Sequence, residues 1–142
     1  MISMKRIVIG FAVFLLGTGV CFADSDIPNL VGTWAVKGEG GVSAKAGGPA
    51  PTTHHSGEFS TLTAEVVMTK QQGRVIHGIF KSQKSSENFV AVIGPDNKSF
   101  YYADGDGFID GKIVSKDRID VIYRHVSPSD SLAAWGIWTR KQ

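Results

Sequence analysis

The segment Asp104-Gly105-Asp106-Gly107-Phe108-Ile109-Asp110 spaces its acids as the opening of a calcium-binding loop does. A helix–loop–helix calcium site also needs an oxygen ligand where Phe108 stands and a glutamate where Ser115 stands. Both are missing, so the Asp-Gly repeats are expected to be a hairpin turn. His54 and His55 are adjacent, and neighbouring side chains on extended backbone point apart. They make a poor chelate without a third ligand and are expected as solvated loop histidines. His77 is expected to face outward and His125 to line a barrel mouth. No metal site and no cofactor are expected.

Serine, histidine and aspartate all occur, but no sharp strand-to-helix turn holds a serine, and no helix offers its N-terminus to an oxyanion. The acids that alternation places on strands, Glu65, Asp110 and Asp120, fall on outer faces. No pair of carboxylates is expected to converge on the lumen, so the chain reads as non-catalytic.

The elements that would position these residues are all strands. No window has helical periodicity, whereas period-two alternation and turn signals recur every 8–12 residues. Strands are expected over 30–39, 59–69, 74–82 and 88–94, then over 98–104, 108–115, 117–126 and 132–141. Gln72-Gly73, Pro95-Asp96-Asn97, Asp104-Gly105-Asp106-Gly107 and Ser127-Pro128-Ser129-Asp130 supply the tight connections. Eight consecutive strands with short loops imply an all-β, antiparallel, up-and-down meander, which removes its exposed edges by closing into a barrel. The exception is 40–58, rich in Gly, Pro, Ala, Ser and Thr, expected as a long mobile loop at one barrel mouth.

The chain has 142 residues, with 15 Lys+Arg against 13 Asp+Glu. Its first 23 residues are unlike the rest. Met1–Arg6 is basic, Ile7–Val20 is uncharged and apolar, and Cys21-Phe22-Ala23 sets small residues at −3 and −1 before Asp24. This is the order of a secretory signal peptide cleaved after Ala23, so the protein is expected to be exported, periplasmic or secreted. Retention as a membrane anchor is the alternative, since 7–23 is near the ~20 residues needed to span. Cleavage removes Cys21, the only cysteine, so the mature chain has neither disulfide nor thiolate ligand. It also removes two of the 15 basic residues, Lys5 and Arg6, leaving 13 against 13 acids. Without an excess of cations to displace counterions, nucleic acid is not an expected partner. Residues 24–29 are expected as a loose tail and 30–142 as the barrel domain.

The first strand opens Leu30-Val31-Gly32-Thr33-Trp34 and the last closes Gly136-Ile137-Trp138-Thr139-Arg140. This Gly-x-Trp start with a basic close resembles the calycin superfamily, which includes lipocalins and avidins. Trp138-Thr139-Arg140 and Gly78-Ile79-Phe80 are nearer to the avidins. The resemblance implies that Gly32, Trp34 and Arg140 close one barrel end, with the guanidinium against the indole. It does not extend to biotin. Where avidins place an Asn two residues after the Trp, this chain has Val36; where they place a Ser six residues after it, Gly40. Phe80 replaces the tyrosine of their Gly-Thr-Tyr, and Gly136 an Asn or Asp. Each lost partner would leave a ureido atom buried unpaired, at ~1–3 kcal/mol.

What remains is an apolar lumen, expected to be lined by Val36, Ile76, Phe80, Tyr123 and Trp138. The function expected from it is non-catalytic binding of a small, largely apolar ligand. The alternative is a protein-binding module acting through the outer surface, tail or long loop, as in periplasmic protease inhibitors with calycin-like barrels. If Gly136 and Trp138 point inward, Trp135 and Ile137 point outward, as do either Val90 and Val92 or Phe89, Ala91 and Ile93. Such an apolar outer face is expected to mediate a homo-oligomer.

Overall fold

The structure is a computed structural model that describes residues 26–47 and 54–142. The expected cleavage site at Ala23–Asp24 lies outside the described residues. The strands are β1 (Gly32–Ala44), β2 (Ser60–Gln72), β3 (Val75–Lys81), β4 (Ser86–Ile93), β5 (Ser99–Ala103), β6 (Gly107–Ser115), β7 (Arg118–Val126) and β8 (Asp130–Arg140). Each pairs antiparallel with the next, and β8 returns to pair with β1, so the eight-stranded up-and-down barrel expected from the alternation is closed.

Alternation explains the inside. Trp34, Val36, Val66, Met68, Ile76, Phe80, Ile109, Ile119, Val121 and Trp138 are buried at period two along their strands. On β4 it is Phe89, Ala91 and Ile93 that turn inward, while Val90 and Val92 face solvent. The pairing of β8 with both neighbours runs unshifted through Gly136, so Trp135 stays on the outer face, 48% exposed.

Most strand ends differ from the sequence expectation by one to three residues, and two segments differ by more. The segment 40–44 is strand rather than loop: it pairs with Asp130–Ala134 of β8, and glycines stand where the chain leaves no room for a side chain. A Cβ on Gly40 would sit 2.5 Å from the Ala134 Cβ, and one on Gly41 would sit 2.1 Å from the Glu58 carbonyl. Glycines that read as loop are thus what lets β1 extend along β8. The β1–β2 connection is correspondingly shorter and returns to the barrel, where Val42 N–H donates to the Gly57 carbonyl at 3.0 Å. Nor are residues 27–29 loose. Ile27 packs on the core, Gln71 Nε2 donates to the Pro28 carbonyl at 2.9 Å, and Leu30 is fully buried.

The two barrel ends differ. At the end where β1 starts, the Arg140 guanidinium carbon lies 4.4 Å from the Trp34 ring centroid. Arg140 also donates to the carbonyls of Lys116, Val31 and Asn29 at 3.0, 2.8 and 2.9 Å. The Trp34 indole N–H donates to the Leu30 carbonyl at 3.0 Å. Gly32 has a φ of 140°, and a Cβ there would meet Arg140 Nη1 at 2.9 Å. Guanidinium, indole and the entering chain form a plug. The opposite end carries the β1–β2 connection and the β3–β4, β5–β6 and β7–β8 turns.

Candidate functional site

A cavity opens toward that second end. Its wall is apolar: Val36 from β1, Leu62 from β2, Phe80 from β3, Ile109 from β6, Val121 from β7 and Trp138 from β8. About 40 Å³ of it is open to the centre of a water-sized sphere. At about 10–15 Å³ per water centre, that is room for roughly three waters or an apolar group of similar size. The rings behind it interlock. Trp138 meets Phe100 and Tyr102 edge-on at 5.6 and 6.2 Å, and Tyr102 packs on Phe89 at 4.4 Å.

Of the residues expected to line the lumen, Val36, Phe80, Tyr123 and Trp138 border this cavity. Ile76 does not: it is fully buried in the core. Phe80 is four residues further along β3, about 13 Å at 3.3 Å per residue, and that distance separates the packed lower core from the mouth. Gly32, Trp34 and Arg140 form the plug at the other end.

The mouth is polar. His54 folds against Phe80 with ring centroids 4.8 Å apart. Its Nδ1 is 2.6 Å from Ser82 Oγ and its Nε2 is 3.2 Å from Glu87 Oε2. His55 is 5% exposed, with Nδ1 2.8 Å from Ser60 Oγ, and Lys84 Nζ donates to its carbonyl. Burial, helped by the nearby charges of His54 and Lys84, holds the His55 imidazole below its ordinary range. These two histidines were expected to be solvated, but the returning loop and the β3–β4 turn enclose them. His77 is exposed on β3. His125 is buried at the end of β7, with Nε2 2.8 Å from Asp130 Oδ1.

Carboxylates do converge, at the mouth rather than on the lumen wall. Glu65, Asp110 and Asp120 pair on the outer face with Lys141, Arg124 and Arg118. Glu87, Asp104 and Asp106 instead bring oxygens within 4.8 Å of one another at the mouth. Parity applies to strand interiors, whereas these three sit at a strand start and in a turn. The Asp104–Gly107 segment is a hairpin turn, closed by Asp104 N–H to the Gly107 carbonyl at 3.2 Å. Two phenols tie it to the wall. Tyr102 Oη donates to Asp104 Oδ2 at 2.8 Å and Tyr123 Oη to Asp106 Oδ1 at 3.1 Å. Burial first, then the charge of Asp104, raises both phenols well above their ordinary value, so they act as neutral donors. Tyr102, Leu62, Ile109 and Val121 border the cavity too, the last three on rows that alternation already turns inward and Tyr102 without a signal of its own. All four lie on the inward-alternating positions of their strands.

No protein-family model and no curated protein matches this chain. Among solved structures, a redesigned β-barrel matches with a TM-score of 0.47 and 12% identity, over 80% of this chain and 92% of its own. The fold rests on the closed strand order rather than on that likeness.

Proposed function

We propose that this is an exported, calycin-like barrel that holds a small, largely apolar ligand in its lumen without transforming it. The observation that carries this reading is the cavity itself, apolar on its walls and plugged by Trp34 and Arg140 at the far end. Void space in a barrel this size is optional, since side chains alone can fill eight strands. Leaving it forfeits packing contacts, a cost that a bound apolar group would recover. The polar mouth suits a ligand with an apolar body and one polar end. Native mass spectrometry of the protein purified from its own compartment tests this. A bound small molecule is expected in the wild type, and none in Val121→Trp, whose indole would fill the cavity. Wild-type protein with no adduct, or the same adduct on Val121→Trp, counts against a lumen ligand.

The outer surface supports a second reading, a protein-contact module. Ile122 and Trp135 are direct cross-strand partners on the outer face, each about half exposed, and Asp110 stands between Ile122 and the half-exposed Tyr101 in the same row. A second copy of the chain is the self-complementary occupant for such a row.

A further inference from the structure

His54 and His55 stand where the β1–β2 connection turns back over the barrel, and side chains hold that turn on the mouth. The His54 ring lies on Phe80 with 4.8 Å between centroids, and its Nδ1 is 2.6 Å from Ser82 Oγ. His55 Nδ1 is 2.8 Å from Ser60 Oγ, and Lys84 Nζ donates to the His55 carbonyl at 3.0 Å. Both histidines border the cavity, so they form part of its wall at the mouth. The other end of the segment is hinged at Gly57. Its φ of 82° suits glycine, and its carbonyl accepts the Val42 N–H.

The two histidines answer a proton differently. His54 Nε2 is 3.2 Å from Glu87 Oε2, so a charge on His54 meets a carboxylate. His55 is buried, and the charges of His54 and Lys84 that act on it share the sign its own ring would take. Asp104 borders the same cavity, Asp106 stands beside it and Glu87, and Glu58 on the segment itself is exposed. Burial disfavours the charged form of an imidazole. The closed arrangement therefore binds a proton at His55 less readily than one in which residues 54–58 have swung into water. It follows that closure weakens relative to opening as pH falls below 6.5, the ordinary value for the ring.

We propose that residues 54–58 are a strap that closes the lumen near neutral pH and releases it when His55 takes up a proton. His54 is the latch, seated on Phe80 at the cavity wall, and His55 is the trigger. The inference rests on the lumen being the ligand site and adds how access to it is controlled. Acid would favour both loading and release of the ligand by exposing the mouth.

Amide hydrogen exchange of the full protein, corrected for the intrinsic pH dependence of exchange, reads the strap without a ligand. Opening of residues 54–58 should become severalfold more frequent between about pH 7.5 and about pH 5, the span over which histidine titrates. Amides of β8 should not follow. In His55→Gln, which stays neutral, this dependence should vanish. His54→Ala, without the ring over Phe80, should open severalfold more often than wild type at the higher pH. Xenon-129 saturation transfer then reads access, and bound xenon should exchange faster wherever the strap opens more. Strap opening that ignores pH in the wild type, or a pH dependence that survives in His55→Gln, would overturn the proposal. Xenon held in the lumen but exchanging at one rate in wild type and His54→Ala would remove the strap as gate and leave the binding site standing. A strap that opens as expected while xenon never shifts Val121 or Trp138 would instead refute the lumen as the ligand site, and the gate with it.

Discussion

Arg140→Ala removes the tie between the last strand and the chain that enters the first. The guanidinium makes three hydrogen bonds to main-chain carbonyls and lies over the Trp34 indole, with the side chain 22% exposed. Charge-assisted hydrogen bonds contribute about 1.5–3 kcal/mol each when fully retained, and the cation–π contact adds about 0.5–2 kcal/mol. Water can reach these carbonyls once the side chain is gone, which recovers part of the hydrogen-bond term. The expected net loss is about 3 kcal/mol, which for a domain of this size lowers Tm by about 10 °C. Arg140→Lys keeps a cation near the ring but lacks the planar fork that serves three carbonyls, so about half the loss should remain. Urea denaturation of wild type, both variants, Trp34→Phe and the Arg140→Ala/Trp34→Phe double mutant measures these terms and their coupling. Arg140→Ala within about 0.5 kcal/mol of wild type, or strict additivity with Trp34→Phe, would refute the plug.

Gly78→Ala should cost about 1–3 kcal/mol or more, because its Cβ would sit 2.5 Å from the Val67 carbonyl oxygen and 2.4 Å from Phe89 Cζ. Gly105→Ala, in open space, is the neutral control in the same thermal melts. The Asp96 carboxyl, held down by the Ser99 hydroxyl and then by the N–H groups of Ser99 and Lys98, should titrate near about 2 in a carbon-13 NMR titration. Since its folded value lies below the ordinary 3.8, its contribution to stability is present above that pH and lost as pH falls toward about 2. An Asp96→Asn variant should lose this part of the acid dependence. On the outer face, Trp135→Lys should shift the sedimentation of the protein at tens of micromolar toward monomer, whereas wild type that is already a clean monomer would leave Trp135 and Ile122 without a self-contact.

The barrel was legible because its strands are covered by solvent on one side and by core on the other. Ile119, Val121 and Tyr123 alternate with Asp120 and Arg124, and that pattern sets which side faces the core. Alternation gives the face but not the height along the barrel, which is why Ile76 and Phe80 read alike although only Phe80 reaches the mouth. Glycines misled at 40–44. Their frequency reads as loop, while the reason for Gly40 is the close passage of Ala133 and Ala134 on β8 and the reason for Gly41 is the Glu58 carbonyl. The mouth was the least legible part. Glu87 is 17 residues from Asp104 in sequence, and only closure of β4 onto the β5–β6 turn brings their oxygens together. No periodicity marks His54, whose place over Phe80 depends on the loop folding back.

The central claim, a lumen that accepts a small apolar ligand from the mouth, is tested most directly by amide and methyl NMR of the protein under increasing xenon pressure. Saturable shifts confined to Val36, Tyr102, Val121 and Trp138 are expected, with Ile113 and Ile119 unmoved in the packed core. Val121→Phe should abolish them by occupying the space. Shifts that gather instead on Tyr101, Ile122 and Trp135, or that persist unchanged in Val121→Phe, would contradict it.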